Sequence, residues 1–156
     1  MTVFNNKRLP IDTFQIDTER MVKGWYSDVY FRNISKILNQ LSEEGYTFKD
    51  EDIGNIEVEL QIFPRRRPFS IVGGIDEALA LLKTATGYWD EDGNFVNTFS
   101  DLEVEACHDG EKGYYSGNPK DVDPIMKIRG RYKDFSILET PMLGSLTEAS
   151  RIATNV

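Results

Sequence analysis

One cysteine and one histidine in 156 residues leave little metal or redox chemistry within reach. Cys107 has no partner for an internal disulfide, which fits a reducing compartment and predicts a cytoplasmic protein. His108 has no second histidine with which to build a metal shell. Positive charge is short as well. Eighteen Lys and Arg stand against 26 Asp and Glu, a net charge of -8. That balance excludes a general nucleic-acid surface and disfavours anionic membrane, since both are held by excess Lys and Arg. No apolar run approaches a membrane span, and the opening "MTVFNNKRLPID" lacks the greasy stretch of a signal peptide. Internal repeats and low-complexity tracts are absent too.

What remains is a globular composition, 40% hydrophobic and 28% charged, at a length suited to one domain. After a polar arm, Gly24 interrupts the chain and Ser27 or Asp28 can cap a helix striped by Tyr30, Ile34, Ile37, Leu38 and Leu41. An acidic linker, "KDEDIGN", leads to the alternating strand "IEVELQIF". "PRRRPF", a short strand "SIVGG" and the helix former "IDEALALLKTA" follow, and "YWDEDGNFVNTF" reads as a hairpin tip. "LEVEA" and "IMKIRGRY" alternate again, separated by a long polar loop. The last helix has two possible starts, a Ser136–Glu139 capping box or Thr140 followed by Pro141. Helices at both ends with strands between them predict an α+β domain, its sheet antiparallel or mixed with helices on one side.

Four stretches could carry chemistry. "ACHDG" puts a thiol beside an imidazole, but neighbours at a strand end point apart, and an ordinary strand-to-loop junction is the better account. Glycines 110, 113 and 117 lack the spacing and the lysine of a phosphate-binding loop. Arg65, Arg66 and Arg67, held between Pro64 and Pro68, either present a fork to phosphate or carboxylate or form a solvated strand end paired with the acidic linker. "WYSDVYF" places aromatic rings at a helix start, a platform for a flat anion, although core packing accounts for most such rings.

Taken in order, "YSDVYF", "IFPRRRPFSIVGGIDEALALL" and "IRGRYKDFSILETPMLGSLTEASRIATN" resemble the N-terminal portion of nicotinate phosphoribosyltransferases. The closing pattern is also similar to the related quinolinate enzymes. The resemblance implies an N-terminal α/β sandwich (hammerhead-like) domain of type II phosphoribosyltransferases, here spanning 1–137. A hinge helix, 138–156, would lead towards a (β/α) barrel that this chain lacks. It implies that Tyr30 stacks on the pyridine ring in a neighbouring subunit's site, that Asp28 supports that loop, and that Arg65 takes a phosphate or interdomain role. Glu139 and Thr140 would lie at the hinge, where quinolinate enzymes carry an arginine in place of Thr140. The full enzyme, a homodimer, would join nicotinate to phosphoribosyl diphosphate with ATP and Mg, no cofactor being held by this segment. Alone the segment would be inactive, or it would serve as a stand-alone binding or regulatory module. On this reading the stripe Met142, Leu146, Ala149, Ala153 and Val156 is an oily flank meant for the barrel.

Overall fold

The computed structural model describes residues 8–156, so the first part of the polar arm lies outside the described residues. The described residues form four α-helices: α1 (Thr18–Val22), α2 (Val29–Glu43), α3 (Ile75–Ala85) and α4 (Glu139–Asn155). Nine short strands accompany them: β1 (Thr47–Phe48), β2 (Glu51–Asp52), β3 (Glu57–Ile62), β4 (Phe69–Ile71), β5 (Gly87–Trp89), β6 (Phe95–Asn97), β7 (Glu103–Ala106), β8 (Lys112–Tyr114) and β9 (Met126–Arg131). This is an α+β architecture.

The central sheet is antiparallel in the order β3-β9-β7. Its register sets Leu60 opposite Ile128 and Val104 opposite the same residue, so the inward residues of all three strands fall in one row. Glu59, Arg129 and Glu103 occupy the outward row, and the Arg129 guanidinium bridges both carboxylates across the sheet. Alternation therefore settles both faces at once: every second residue is apolar or glycine and faces the core, and its neighbours are charged or polar. Ile62, Met126 and Ile128 pack with Ile75, Leu82, Phe135, Leu138 and Met142 into one core. Two-stranded ribbons β1–β2, β5–β6 and β4–β8 complete the fold.

Several expectations change. The polar arm contains α1, whose Met21 and Val22 enter the core. The glycine-rich loop contributes β8, because Gly113 lets the chain pass against Pro64, Ile125 and Val72 where a side chain has no room. The Ser136–Glu139 capping box does not form. Ser136 belongs to a single 3-10 turn, its hydroxyl is buried without a partner, and Glu139 accepts from Tyr132 instead. α4 begins at Glu139 without a side-chain cap.

The oily stripe on α4 is also corrected. Met142 and Leu146 are buried in the chain's own core, and Ala149 rests against Gly73. Apolar side chains left in solvent are Leu143, 38% exposed, and Ile152, 53% exposed, on either side of that stripe, and Val156 of the stripe itself, just past α4. Periodicity identifies the face a helix buries and is silent on what buries it.

α4 also seals an open edge. Thr154 Oγ1 accepts the backbone N–H of Ile71 at 2.9 Å, and Ser150 Oγ accepts that of Gly73 at 3.0 Å. These hydroxyls stand in for a neighbouring strand beside β4, satisfying donors that would otherwise be stranded in a half-buried seam.

Candidate functional site

Asp28 follows the turn at residues 23–26 and caps α2. Its Oδ1 accepts the backbone N–H of Tyr30 at 2.8 Å, satisfying one of the free donors at the helix start. Its own backbone N–H donates to Thr140 Oγ1 at 3.0 Å. The entrance of α2 is thus tied to the first turn of α4. Tyr30 follows on α2, 66% exposed, its ring meeting Phe31 edge to face at 5.3 Å. One face of a rigidly based phenol is left to solvent at a helix N-terminus, an arrangement suited to stacking a flat anionic ring.

Beside this platform lies a pair that sequence reasoning did not single out. Tyr132 Oη donates to Glu139 Oε1 at 2.7 Å. Glu139 is only 7% exposed, and burial raises its pKa above the usual carboxylate range, the Tyr132 hydrogen bond opposing the rise. Burial likewise pushes the Tyr132 phenol up, with the hydrogen bond and charge of Glu139 adding to it and the Tyr30 phenol contributing last. The sequence offered Glu139 a role as a cap, and no spacing signalled its real partner.

Arg65 reaches the same neighbourhood from the other side. With Glu139 it lines a depression of about 270 Å³ walled by Leu60, Ile62, Phe63 and Leu143. Its guanidinium lies 5.7 Å from the centre of the Phe63 ring. Among the described residues Arg65, Arg66 and Arg67 make no ion pair, so the acidic linker does not neutralise them. Asp28 and Arg65 therefore each border the first turn of α4, Asp28 through Thr140 and Arg65 through the depression it shares with Glu139.

Cys107 and His108 take no part in this cluster. Cys107 packs against the core, and burial, then the charge of Glu111, pushes its thiol up to about 11, leaving almost no thiolate at neutral pH. Asp109 is a remote helix cap, its carboxylate accepting the N–H of Ile75 at 2.8 Å. Among the described residues no three His, Cys, Asp or Glu side chains gather into a metal-binding group, and no helix is long and apolar enough to cross a membrane.

No curated protein matches the chain. Among solved structures it is similar to the nicotinate-nucleotide pyrophosphorylase from Pyrococcus furiosus, with a TM-score of 0.54 and 24% identity. The match covers 95% of this chain and 30% of that one, so this chain spans under a third of the solved protein's length. At that identity the likeness is one of fold. A family model described as the quinolinate phosphoribosyl transferase N-terminal domain matches residues 28–150, beginning at the aspartate that caps α2 and running through most of α4. The matched span is well over half of the sequence, and the chain belongs to that family of phosphoribosyltransferase N-terminal domains.

Proposed function

We propose that this chain is the N-terminal domain of a nicotinate phosphoribosyltransferase and supplies the ring-positioning part of a site completed by a barrel domain. The observation that carries this reading is the exposed Tyr30 ring fixed at the capped start of α2. The reaction joins the pyridine nitrogen of nicotinate to the anomeric carbon of phosphoribosyl diphosphate as diphosphate leaves, giving nicotinate mononucleotide. Tyr30 holds the flat ring, Asp28 fixes the turn that presents it, and Arg65 offers a guanidinium to a carboxylate or phosphate. Restricting the ring's orientation converts an encounter into a near-unimolecular step, and that is this domain's contribution. ATP and Mg belong to the full enzyme. Among the described residues no acidic cluster gathers to receive the metal, and no step here passes through it. The barrel, a second subunit and a cytoplasmic setting complete the proposal.

The test mixes the purified chain with a separately produced phosphoribosyltransferase barrel domain and supplies nicotinate, phosphoribosyl diphosphate and ATP. The chain alone is expected to form no mononucleotide, and the mixture is expected to form it in a Tyr30-dependent way. Turnover by the chain alone would overturn the shared-site reading, and turnover confined to quinolinate would overturn the choice of base.

One observation favours a second reading, a stand-alone binding or regulatory module. Met142 and Leu146 close the chain's own core, so the domain needs no neighbour to cover them. Sedimentation separates the two: a discrete dimer with no gain of activity on adding a barrel supports the module.

A further inference from the structure

A second concavity, distinct from the Tyr30 platform, lies between the arginine segment and the outer half of α4. It encloses about 420 Å³, within the range of roughly 300–1,000 Å³ typical of small-molecule sites. Its floor is apolar: Ile62, Ile125 and Leu146, each nearly inaccessible, with Leu143 at one side. Its rim carries three guanidiniums, Arg65, Arg66 and Arg151. None of the three is ion-paired among the described residues, although the chain as a whole carries a net charge of -8. One end is closed where Arg66 Nη1 donates to Asn155 Oδ1 at 2.8 Å, linking the arginine segment to the last turn of α4.

Thr147, Ser150 and Thr154 line the α4 wall, and one further hydroxyl comes from the β4 side. Ser70 lies on β4, is 6% exposed, and lines the concavity. Among the described residues its hydroxyl makes no hydrogen bond, unlike Ser150 and Thr154 nearby, which are spent on the β4 edge. That oxygen is not among the buried polar atoms left without a partner, so it keeps an edge open to the concavity, where a ligand atom can meet it. Unpaired cations above and a greasy floor below select opposite ends of one molecule.

We propose that this groove binds a small organic anion, an apolar body lying on Ile62, Ile125 and Leu146 and a carboxylate or phosphate head held by Arg66 and Arg151, with Ser70 meeting a polar atom of the body. The site is separate from the phosphoribosyl reading, which rests on Tyr30. Arg65 borders both concavities, and the test therefore leaves it unchanged.

The experiment titrates the chain with octanoate and with octyl phosphate as probes, using calorimetry and backbone amide shifts. Octan-1-ol removes the charge from the probe and inorganic phosphate removes the tail. Saturable one-to-one binding is expected for at least one of the two anions, with shifts centred on Ser70, Gly113 and Arg151. Octan-1-ol and inorganic phosphate are each expected to bind at least ~10-fold more weakly, the loss of one charge-assisted contact or of the buried tail. Arg66→Gln combined with Arg151→Gln, both on the surface, is expected to weaken the anion ~10-fold or more while amide spectra confirm the fold. Ser70→Ala, a smaller change inside the fold, is expected to weaken it without moving the salt dependence. The proposal is overturned if neither anion saturates, if the double variant binds as tightly as the parent, or if the shifts cluster at Tyr30 instead.

Discussion

The backbone N–H of Asp28 donates to the hydroxyl of Thr140 at 3.0 Å, joining residues 112 positions apart. The contact fixes where α2 begins relative to α4, and with it the direction in which Tyr30 faces. Thr140→Val keeps the shape and removes the acceptor. It is expected to cost about 1 kcal/mol of stability and to speed hydrogen exchange at the amides of Asp28 and Tyr30 more than elsewhere. Asp28→Ala removes the cap and is expected to cost about 1 kcal/mol, with Asp28→Asn losing less. If exchange at those amides is unchanged in Thr140→Val, the tie does not hold the platform.

Gly74 opens α3 with φ at +84°, and a methyl there would sit 2.6 Å from the Ser145 carbonyl oxygen on α4. Both the conformation and the space require glycine. Gly74→Ala is expected to destabilise the fold by about 2 kcal/mol or more, through strain and through separation of α3 from α4. Urea unfolding measures it as a lower midpoint at an unchanged slope. A midpoint equal to the parent's would mean that α4 moves aside freely.

How much of this was legible depends on the kind of signal. The row Val58, Leu60, Ile62 alternates with Glu57, Glu59, Gln61, so β3 and its buried face could be read directly. A cap ahead of the apolar stripe is local and readable as Ser27 or Asp28, and the structure selects Asp28. β8 was hidden because its centre is Gly113, buried by close approach of backbone and not by any side chain of its own. The α4 stripe is legible as apolar, but what covers Met142 and Leu146 is not, since the core that receives them is assembled from β9 and α3, remote in sequence. At the site, Tyr30, Asp28 and Arg65 stood out through ordered motifs. The Tyr132–Glu139 bond and the Ser70 floor depend on tertiary approach alone, and residue spacing carries no trace of either.

Cys107 gives a chemical check on burial at the strand-to-loop junction. A thiol pushed from the ordinary 9.0 up to about 11 holds roughly 100-fold less thiolate at neutral pH. Alkylation of the folded chain by iodoacetamide is expected to be slower than that of the urea-unfolded chain by about that factor. Equal rates would show the thiol to be open and ordinary, and would restore Cys107 as a candidate nucleophile.

Glu139 supplies the pH-dependent case. Its folded pKa is raised above the ordinary 4.5, chiefly by burial, and the hydrogen bond from Tyr132 only partly offsets this. The folded protein therefore binds this proton more tightly than the unfolded chain does. Its contribution to stability is complete below the unfolded value near 4.5 and is lost as pH rises through the raised folded value, after which it is level. Glu139→Gln keeps the size and an oxygen to accept from Tyr132, and it abolishes the titration. Urea midpoints taken from pH 4 to pH 8 should show the parent falling relative to the glutamine variant as pH rises, with the variant at least as stable at neutrality. Parallel curves would show that Glu139 ionises as freely in the fold as in the unfolded chain. The carboxyl would then have to be hydrated from the Arg65 side, and the depression they share would be a wet cleft in place of an apolar pocket.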